Sequence, residues 1–373
     1  MSNDYASDRQ IAMVMDLNKC LGCQTCTVAC KTLWTRNEGM EGMWWNTVST
    51  MPGEGTPRGV FKSTGGGFKD GKAQPGRLPT QEEFGNAWKF NHEQVFNGGN
   101  PDAFLKPDSK PTWGPNFDED MGEGEHPNNH YFYLPRICNH CTRPACLEAC
   151  PRTAIEKRKE DGVVVIDEDR CRGYQFCAEA CPYKKIYYNA VTGKSQKCIF
   201  CFPRMEKGVA TACSRQCPGR VRFLGFADDR EGPIYKLVND WEVALPLHAE
   251  YETQPNVFYV PPLSPDLIDE DDNPTGKPRI PAEYLESLFG PAVHKALETI
   301  KNERAKVAAG GNSELIDILI ARRWLDMFSE FDQHPRSVEQ FGQADAKPVR
   351  FLDRSRTTSK AATTDTSHRG KQA

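Results

Sequence analysis

The sequence has no long hydrophobic run. Its longest purely aliphatic stretch is Val163 to Ile166, far short of the roughly 20 apolar residues of a membrane-spanning helix. The opening residues MSNDYASDRQ hold no apolar core and no twin arginine, so no signal peptide of the chain's own is expected. Neither charge sign dominates. Lys and Arg number 47 against 51 Asp and Glu, a net charge of −4, which excludes the basic footprint of nucleic-acid binding. A glycine-rich nucleotide fingerprint after a strand is also missing. The run Gly65-Gly66-Gly67 lies in a loop-like stretch and reads as a flexible turn. No nucleophile with a partner base can be picked out. Catalytic residues are therefore not assigned, and chemistry on a substrate is expected in a separate chain.

What the sequence does have is cysteine, fifteen in 373 residues. A chain of this length can form two or three domains and bury a core without cross-links. An odd count at spacings of two or three residues suits thiolates converging on a common centre better than a disulfide framework. Four groups are present. The first is Cys20, Cys23, Cys26 and Cys30. The second is Cys138, Cys141, Cys146 and Cys150, followed by Pro151. The third is Cys171, Cys177 and Cys181, followed by Pro182. The fourth is Cys198, Cys201, Cys213 and Cys217, followed by Pro218.

The first group has the C-x2-C-x2-C-x3-C spacing of bacterial ferredoxins, in which three thiolates hold one cluster and the fourth reaches another. Four such groups imply four clusters. The third group repeats the spacing of the first except that Tyr174 stands where Cys23 stands. A cuboidal cluster lacking one iron needs only three thiolates. Three four-iron clusters and one three-iron cluster then use all fifteen cysteines and leave none idle. Zinc also takes four thiolates in C-x2-C pairs, and stands as the alternative, although triplets followed by a further cysteine three residues on are not zinc-ribbon spacing.

Around these groups the pattern predicts a short strand at 11–16 and a helix over 27–34, with Cys30 in its first turn. A hairpin is expected where 154–157 and 162–166 flank Lys159-Glu160-Asp161-Gly162. Residues 226–280 read as acidic and proline-rich, with a charged loop at 269–272. Apolar residues at helical spacing over 282–308 and 313–328, separated by Gly310-Gly311, predict a helical pair. Residues 39–130 are dense in Gly, Pro and Asn, yet carry Trp44, Trp45, Trp88, Phe90, Trp113 and Phe117. They read as an ordered insertion that either covers a partner or packs on its own chain.

The stretches MVMDLNKCLGCQTCTVACK, MWWNTVST, YLPRICNHCTRPACLEACP, CPYKK and CFPRMEKGVATAC resemble the iron–sulfur β subunits of dimethyl sulfoxide reductase-family molybdoenzymes. The likeness is to the branch of ethylbenzene, steroid C25 and dimethylsulfide dehydrogenases and selenate, chlorate and perchlorate reductases. Respiratory nitrate reductase β subunits are more distant in this reading, and commonly have Trp where this chain has Tyr174. The resemblance implies an α+β fold of two bacterial ferredoxin-like modules, of the double βαβ type, with long loop insertions and a C-terminal helical extension. Residues 1–38 and 190–226 would form the module of clusters one and two, and 131–189 that of clusters three and four. The loop-rich insertion is 39–130, the acidic segment and helices 227–330, and an extended tail 331–373.

It further implies cluster ligands. Cluster one, 4Fe-4S, takes Cys20, Cys23, Cys26 and Cys217. Cluster two, 4Fe-4S, takes Cys30, Cys198, Cys201 and Cys213. Cluster three, 4Fe-4S, takes Cys138, Cys141, Cys146 and Cys181. Cluster four, 3Fe-4S, takes Cys150, Cys171 and Cys177, with Tyr174 at the non-ligating corner. The implied role is non-catalytic electron relay between a molybdenum-cofactor α subunit and a haem b γ subunit, in a heterotrimer with no membrane span in this chain. Export to the periplasm with a signal-bearing partner is expected, the alternative being the cytoplasm. A cytoplasm-facing nitrate reductase relay and a free-standing polyferredoxin carrier are the competing readings.

Residues 136–222 hold 17 Lys and Arg against 9 Asp and Glu. Arg136, Arg143, Arg170, Arg172, Lys184, Lys185 and Lys197 can raise the potentials of anionic clusters, or simply form a solvated or docking face. His140, between two cysteines, reads as a packed or hydrogen-bonded loop residue rather than a ligand. Trp34, Trp44 and Trp45 either shield a cluster or pack a core.

Overall fold

The computed structural model describes residues 7–85, 90–107 and 122–332. Trp88, Trp113, Phe117 and, beyond Asp332, the expected tail lie outside the described residues. At the centre runs the strand Ile11–Asp16, all six residues buried. It pairs antiparallel with Arg222–Phe226, Ile11 opposite Phe226 and Met15 opposite Arg222. On its other edge it pairs parallel with Val257–Val260, Met13 opposite Val257. Leu245–Pro246 completes this four-stranded sheet. A central strand flanked on both edges must be apolar on both faces, which IAMVMD supplies. Val257–Val260 falls in the segment read as acidic and proline-rich. Its β-branched and aromatic residues, VFYV, suit a pleated surface and bring that segment into the sheet.

Two hairpins follow the cysteine groups. Ile155–Lys157 pairs with Val164–Ile166, as expected from the sequence, and Ile186–Asn189 pairs with Lys194–Lys197. Side chains alternate across a strand. Val163 and Val165 accordingly enter the larger core beside the central sheet, while Val164 and Ile166 enter a second core with Ala154, Ile155, Cys171, Cys177, Ala178 and Ile186. This short strand therefore couples the two apolar cores.

Helix Thr25–Trp34 packs against Ala212–Arg215, and Ala145–Glu148 against Phe176–Ala180. The first helix begins two residues before the expected position, because Gln24 adopts a left-handed conformation (φ 57°) that closes the loop early. Cys26 then lies in the first turn and Cys30 one turn later. The expected C-terminal helical pair is instead three helices, Ala282–Phe289, Ala292–Ala308 and Glu314–Ile320, followed by a 3-10 turn, Trp324–Phe328. Gly290-Pro291 breaks the first span: Gly290 sits at φ 76°, and proline supplies no N–H to continue the ladder.

The insertion is anchored on this chain where it is described. Its strand Thr47–Met51 pairs antiparallel with Phe132–Arg136. Trp45 and Phe68 are buried, and the Arg143 guanidinium lies 3.7 Å from the Phe68 ring centre. The Gly67 N–H donates to the Ala180 carbonyl at 2.9 Å. At Gly66 (φ 99°) an added Cβ would sit 2.5 Å from the same carbonyl oxygen. Gly66→Ala is therefore expected to lower unfolding stability by about 2 kcal/mol, from a strained backbone and a displaced loop. A thermal melt of the variant beside the parent checks this.

Candidate metal centres

The four cysteine groups are built as two local structures, each made twice. In one, a glycine and a glutamine in left-handed conformations bracket the second position and launch a helix carrying the next cysteine. These are Gly22 (φ 63°) and Gln24 (φ 57°) before Cys26, and Gly173 (φ 70°) and Gln175 (φ 63°) before Cys177. The bracketed residue is Cys23 in the first and Tyr174 in the second. Both are exposed, Tyr174 to 57%. In the other structure, His140 (φ 42°) precedes Cys141 and Phe200 (φ 53°) precedes Cys201, and short helices Ala145–Glu148 and Ala212–Arg215 carry Cys146 and Cys213.

The prolines after three of the groups have a common purpose. Cys150-Pro151, Cys181-Pro182 and Cys217-Pro218 each open a turn in which the cysteine carbonyl accepts the N–H three residues on, from Thr153, Lys184 and Arg220 at 3.1, 3.2 and 3.2 Å. Those three residues share a left-handed conformation, φ 45°, 49° and 52°. Proline presets the turn's second φ, and the reversal aims the next N–H at sulfur. Ala154 N–H donates to Cys150 Sγ at 3.3 Å and Val221 N–H to Cys217 Sγ at 3.5 Å.

The thiols meet across long sequence separations. Cys20, Cys23, Cys26 and Cys217 line one space of about 330 Å³, partly open to solvent. Cys30, Cys198, Cys201 and Cys213 line a second of about 330 Å³, walled by Trp34, Trp45 and Phe200. A third, of about 390 Å³, is lined by Cys138, Cys141, Cys146 and Cys181. Cys150, Cys171 and Cys177 form a trio in the second core, where the Cys177 thiol feels the other two. Burial pushes the Cys20 and Cys177 thiols up to about 11, so thiolate at these sites requires a bound cation.

These surroundings fit iron–sulfur clusters. Among the described residues no carboxylate lines any of the three spaces, and soft thiolates select such centres. Among the described residues, no three of His, Cys, Asp and Glu are disposed to hold a single metal ion; the thiols surround volumes instead. Two buried donors beside those volumes, Trp45 Nε1 and His140 Nε2, have no acceptor among the described residues. His140 Nδ1 accepts the Val164 N–H at 3.1 Å, which leaves the ring proton on Nε2. Burial, with Lys197 and Lys157 nearby, holds this imidazole well below the usual histidine range, hence neutral. Trp34 Nε1 donates to Cys201 Sγ at 3.1 Å.

Of the seven cations singled out in the sequence, Arg136, Lys184, Lys185 and Lys197 are buried, whereas Arg172 is exposed and Arg143 and Arg170 are half-buried. Lys185 donates to Thr47 Oγ1 at 2.9 Å; burial and Arg136 push its ammonium well below the usual lysine range, against Cys198, Cys30 and Cys138. Arg136 donates to the Tyr183 and Thr56 carbonyls. Nothing in the local spacing singles out Arg222 and Asn46, which both reach Cys26 Sγ. Arg222 arrives there through strand register, which no local spacing encodes.

With this geometry in view, residues 129–227 match the family described as 4Fe-4S dicluster domain. The chain is 55% identical over 321 residues to the dimethylsulfide dehydrogenase subunit beta of Rhodovulum sulfidophilum, covering 86% of this chain and 98% of the relative. It is 57% identical over 318 residues to the selenate reductase subunit beta of Thauera selenatis, covering 84% and 97%. It is 58% identical over 321 residues to the respiratory nitrate reductase subunit beta of Haloferax mediterranei, covering 84% and 91%. That last relative stands as near as the dehydrogenase and selenate reductase chains, so not every nitrate reductase β subunit lies at the greater distance expected. At these identities and coverages, the chain belongs to the iron–sulfur β-subunit family of the dimethyl sulfoxide reductase-type oxidoreductases.

Proposed function

We propose that this chain is the electron-transfer β subunit of a molybdenum oxidoreductase complex, passing single electrons through iron–sulfur clusters to or from a catalytic α subunit. The observation that carries the reading is the convergence of thiols from distant segments on separate, carboxylate-free volumes. In the finer reading, Cys20, Cys23, Cys26 and Cys217 hold a 4Fe-4S cluster, as do Cys30, Cys198, Cys201 and Cys213, and Cys138, Cys141, Cys146 and Cys181. Cys150, Cys171 and Cys177 hold a 3Fe-4S cluster with Tyr174 at the open corner. Such clusters exchange one electron at a time.

The chain's own elements support a single file of sites. Helix Thr25–Trp34 carries Cys26 of the first set and Cys30 of the second. Cys198 of the second set feels Cys138 of the third more strongly than it feels any other thiol. Cys146 on helix Ala145–Glu148 and Cys150, two residues past its end, join the third set to the fourth. The ends of the file are the exposed ones, at Cys23 and at Tyr174. The twofold repetition of each local structure supports two ferredoxin-like modules, 1–38 with 190–226 and 131–189.

We assign the remaining partner as a haem b γ subunit and the location as the periplasm, on the family resemblance; no helix among the described residues is long and apolar enough to cross a membrane. The Haloferax relative favours a nitrate reductase-type complex as the second reading. Purification of the tagged chain from its native host is expected to bring down a large molybdenum-containing chain. Recovery of a cluster-filled monomer alone would instead make it a free carrier. Proteinase protection in spheroplasts tests the location, an accessible chain being expected.

A further inference from the structure

The Arg222 guanidinium is buried between two of the thiol sets, with no carboxylate among the described residues paired to it. Arg222 is 1% exposed. One terminal nitrogen donates to Asn46 Oδ1 at 2.6 Å and lies 3.4 Å from Cys26 Sγ; the other lies 3.7 Å from Met13 Sδ. The thiols whose charge it would feel are Cys26, Cys213, Cys217 and Cys20. Three of these line the first space and Cys213 lines the second. An isolated buried cation is strongly unfavourable unless compensated, and arginine does not shed its proton. Its compensation has to come from what the thiols hold.

Asn46 fixes the arrangement. Its Nδ2 donates to Cys26 Sγ at 3.2 Å and to Thr27 Oγ1 at 3.0 Å, while its Oδ1 receives Arg222. Cys26 Sγ thus has two N–H groups directed at it, one charged. The strand register that sets Arg222 opposite Met15 delivers the charge there from across the sheet.

Building on the cluster assignment above, we propose that Arg222 is the positive charge shared by clusters one and two, and that with Asn46 it raises the potential at which each accepts an electron. Added negative charge beside a fixed cation in a low-dielectric interior is stabilised, and hydrogen bonds to ligand sulfur act in the same direction. Arg222 is a positioning and charge-setting group; it transfers nothing itself.

The test is a redox titration of the purified complex followed by low-temperature magnetic resonance, for the parent, Arg222→Gln, Arg222→Lys and Asn46→Ala. Arg222→Gln is expected to lower the midpoint potentials of two of the 4Fe-4S clusters, by tenfold or more in the reduction equilibrium, about 59 mV for one electron. The 3Fe-4S potential should stay put, and Arg222→Lys should restore most of the shift. Should Arg222→Gln fail to assemble, Asn46→Ala should still lower one potential by a smaller amount. Full cluster signals at unmoved potentials in Arg222→Gln, or in Asn46→Ala where only that variant assembles, overturn the proposal while leaving the cluster assignment intact. Absence of cluster signals from the parent itself would instead overturn the assignment on which it rests.

Discussion

Replacing Tyr174 by cysteine is expected to add one iron atom per chain and to remove the three-iron magnetic resonance signal of the oxidised protein. The expectation rests on backbone as well as spacing. Gly173 and Gln175 repeat the left-handed conformations of Gly22 and Gln24, so residue 174 leaves the chain as Cys23 does. Tyr174 is exposed and tilted against Phe176, their ring centres 6.4 Å apart; it fills no enclosed corner that a smaller side chain would leave empty. The stability cost of Tyr174→Cys is therefore small, within about 0.5 kcal/mol. A thiolate is a cluster ligand where a phenol is a poor one. Iron analysis and the low-temperature spectrum of the variant check this, and unchanged values in both would count against the three-iron assignment.

Chelating the iron is expected to unfold the chain rather than leave an empty scaffold. Cys26, Cys30, Cys198 and Cys213 are part of the larger apolar core, and Cys171 and Cys177 part of the second. Binding free energy at a structural metal centre is folding free energy, so removing the iron withdraws the interaction that holds these thiol loops together. The central strand depends on partners that flank the thiol loops, Arg222–Phe226 following directly on Cys217. Far-ultraviolet dichroism during chelation should show a cooperative loss of structure. Retention of the full signal with the iron gone would place the fold's stability elsewhere.

The local layout of the site was legible in the sequence because short-range chemistry dictates it. Spacings of two and three residues, the glycines at 22 and 173 and the prolines after Cys150, Cys181 and Cys217 all leave marks in consecutive positions. The hairpin around Gly162 was legible for the same reason. What escaped was set at long range or hidden by composition. Val257–Val260 is a strand because Ile11–Asp16 offers it an edge, while the flanking prolines and acids suggest a loop. The break at Gly290-Pro291 is written in the sequence, but apolar periodicity runs across it on both sides. Arg222 ranks as one basic residue among many until pairing with Met15 brings it to Cys26. Trp34 and Trp45 carried two readings; Trp45 packs the core, Trp34 donates to a thiol, and both wall the same space.

The most direct measurement is the iron and acid-labile sulfide content of the intact chain, taken together with its oxidised low-temperature spectrum. About fifteen iron and about sixteen sulfide per polypeptide are expected, with a three-iron signal present before any reductant is added. Zinc in place of iron, or iron well below that number in material with all its thiols occupied, would contradict it.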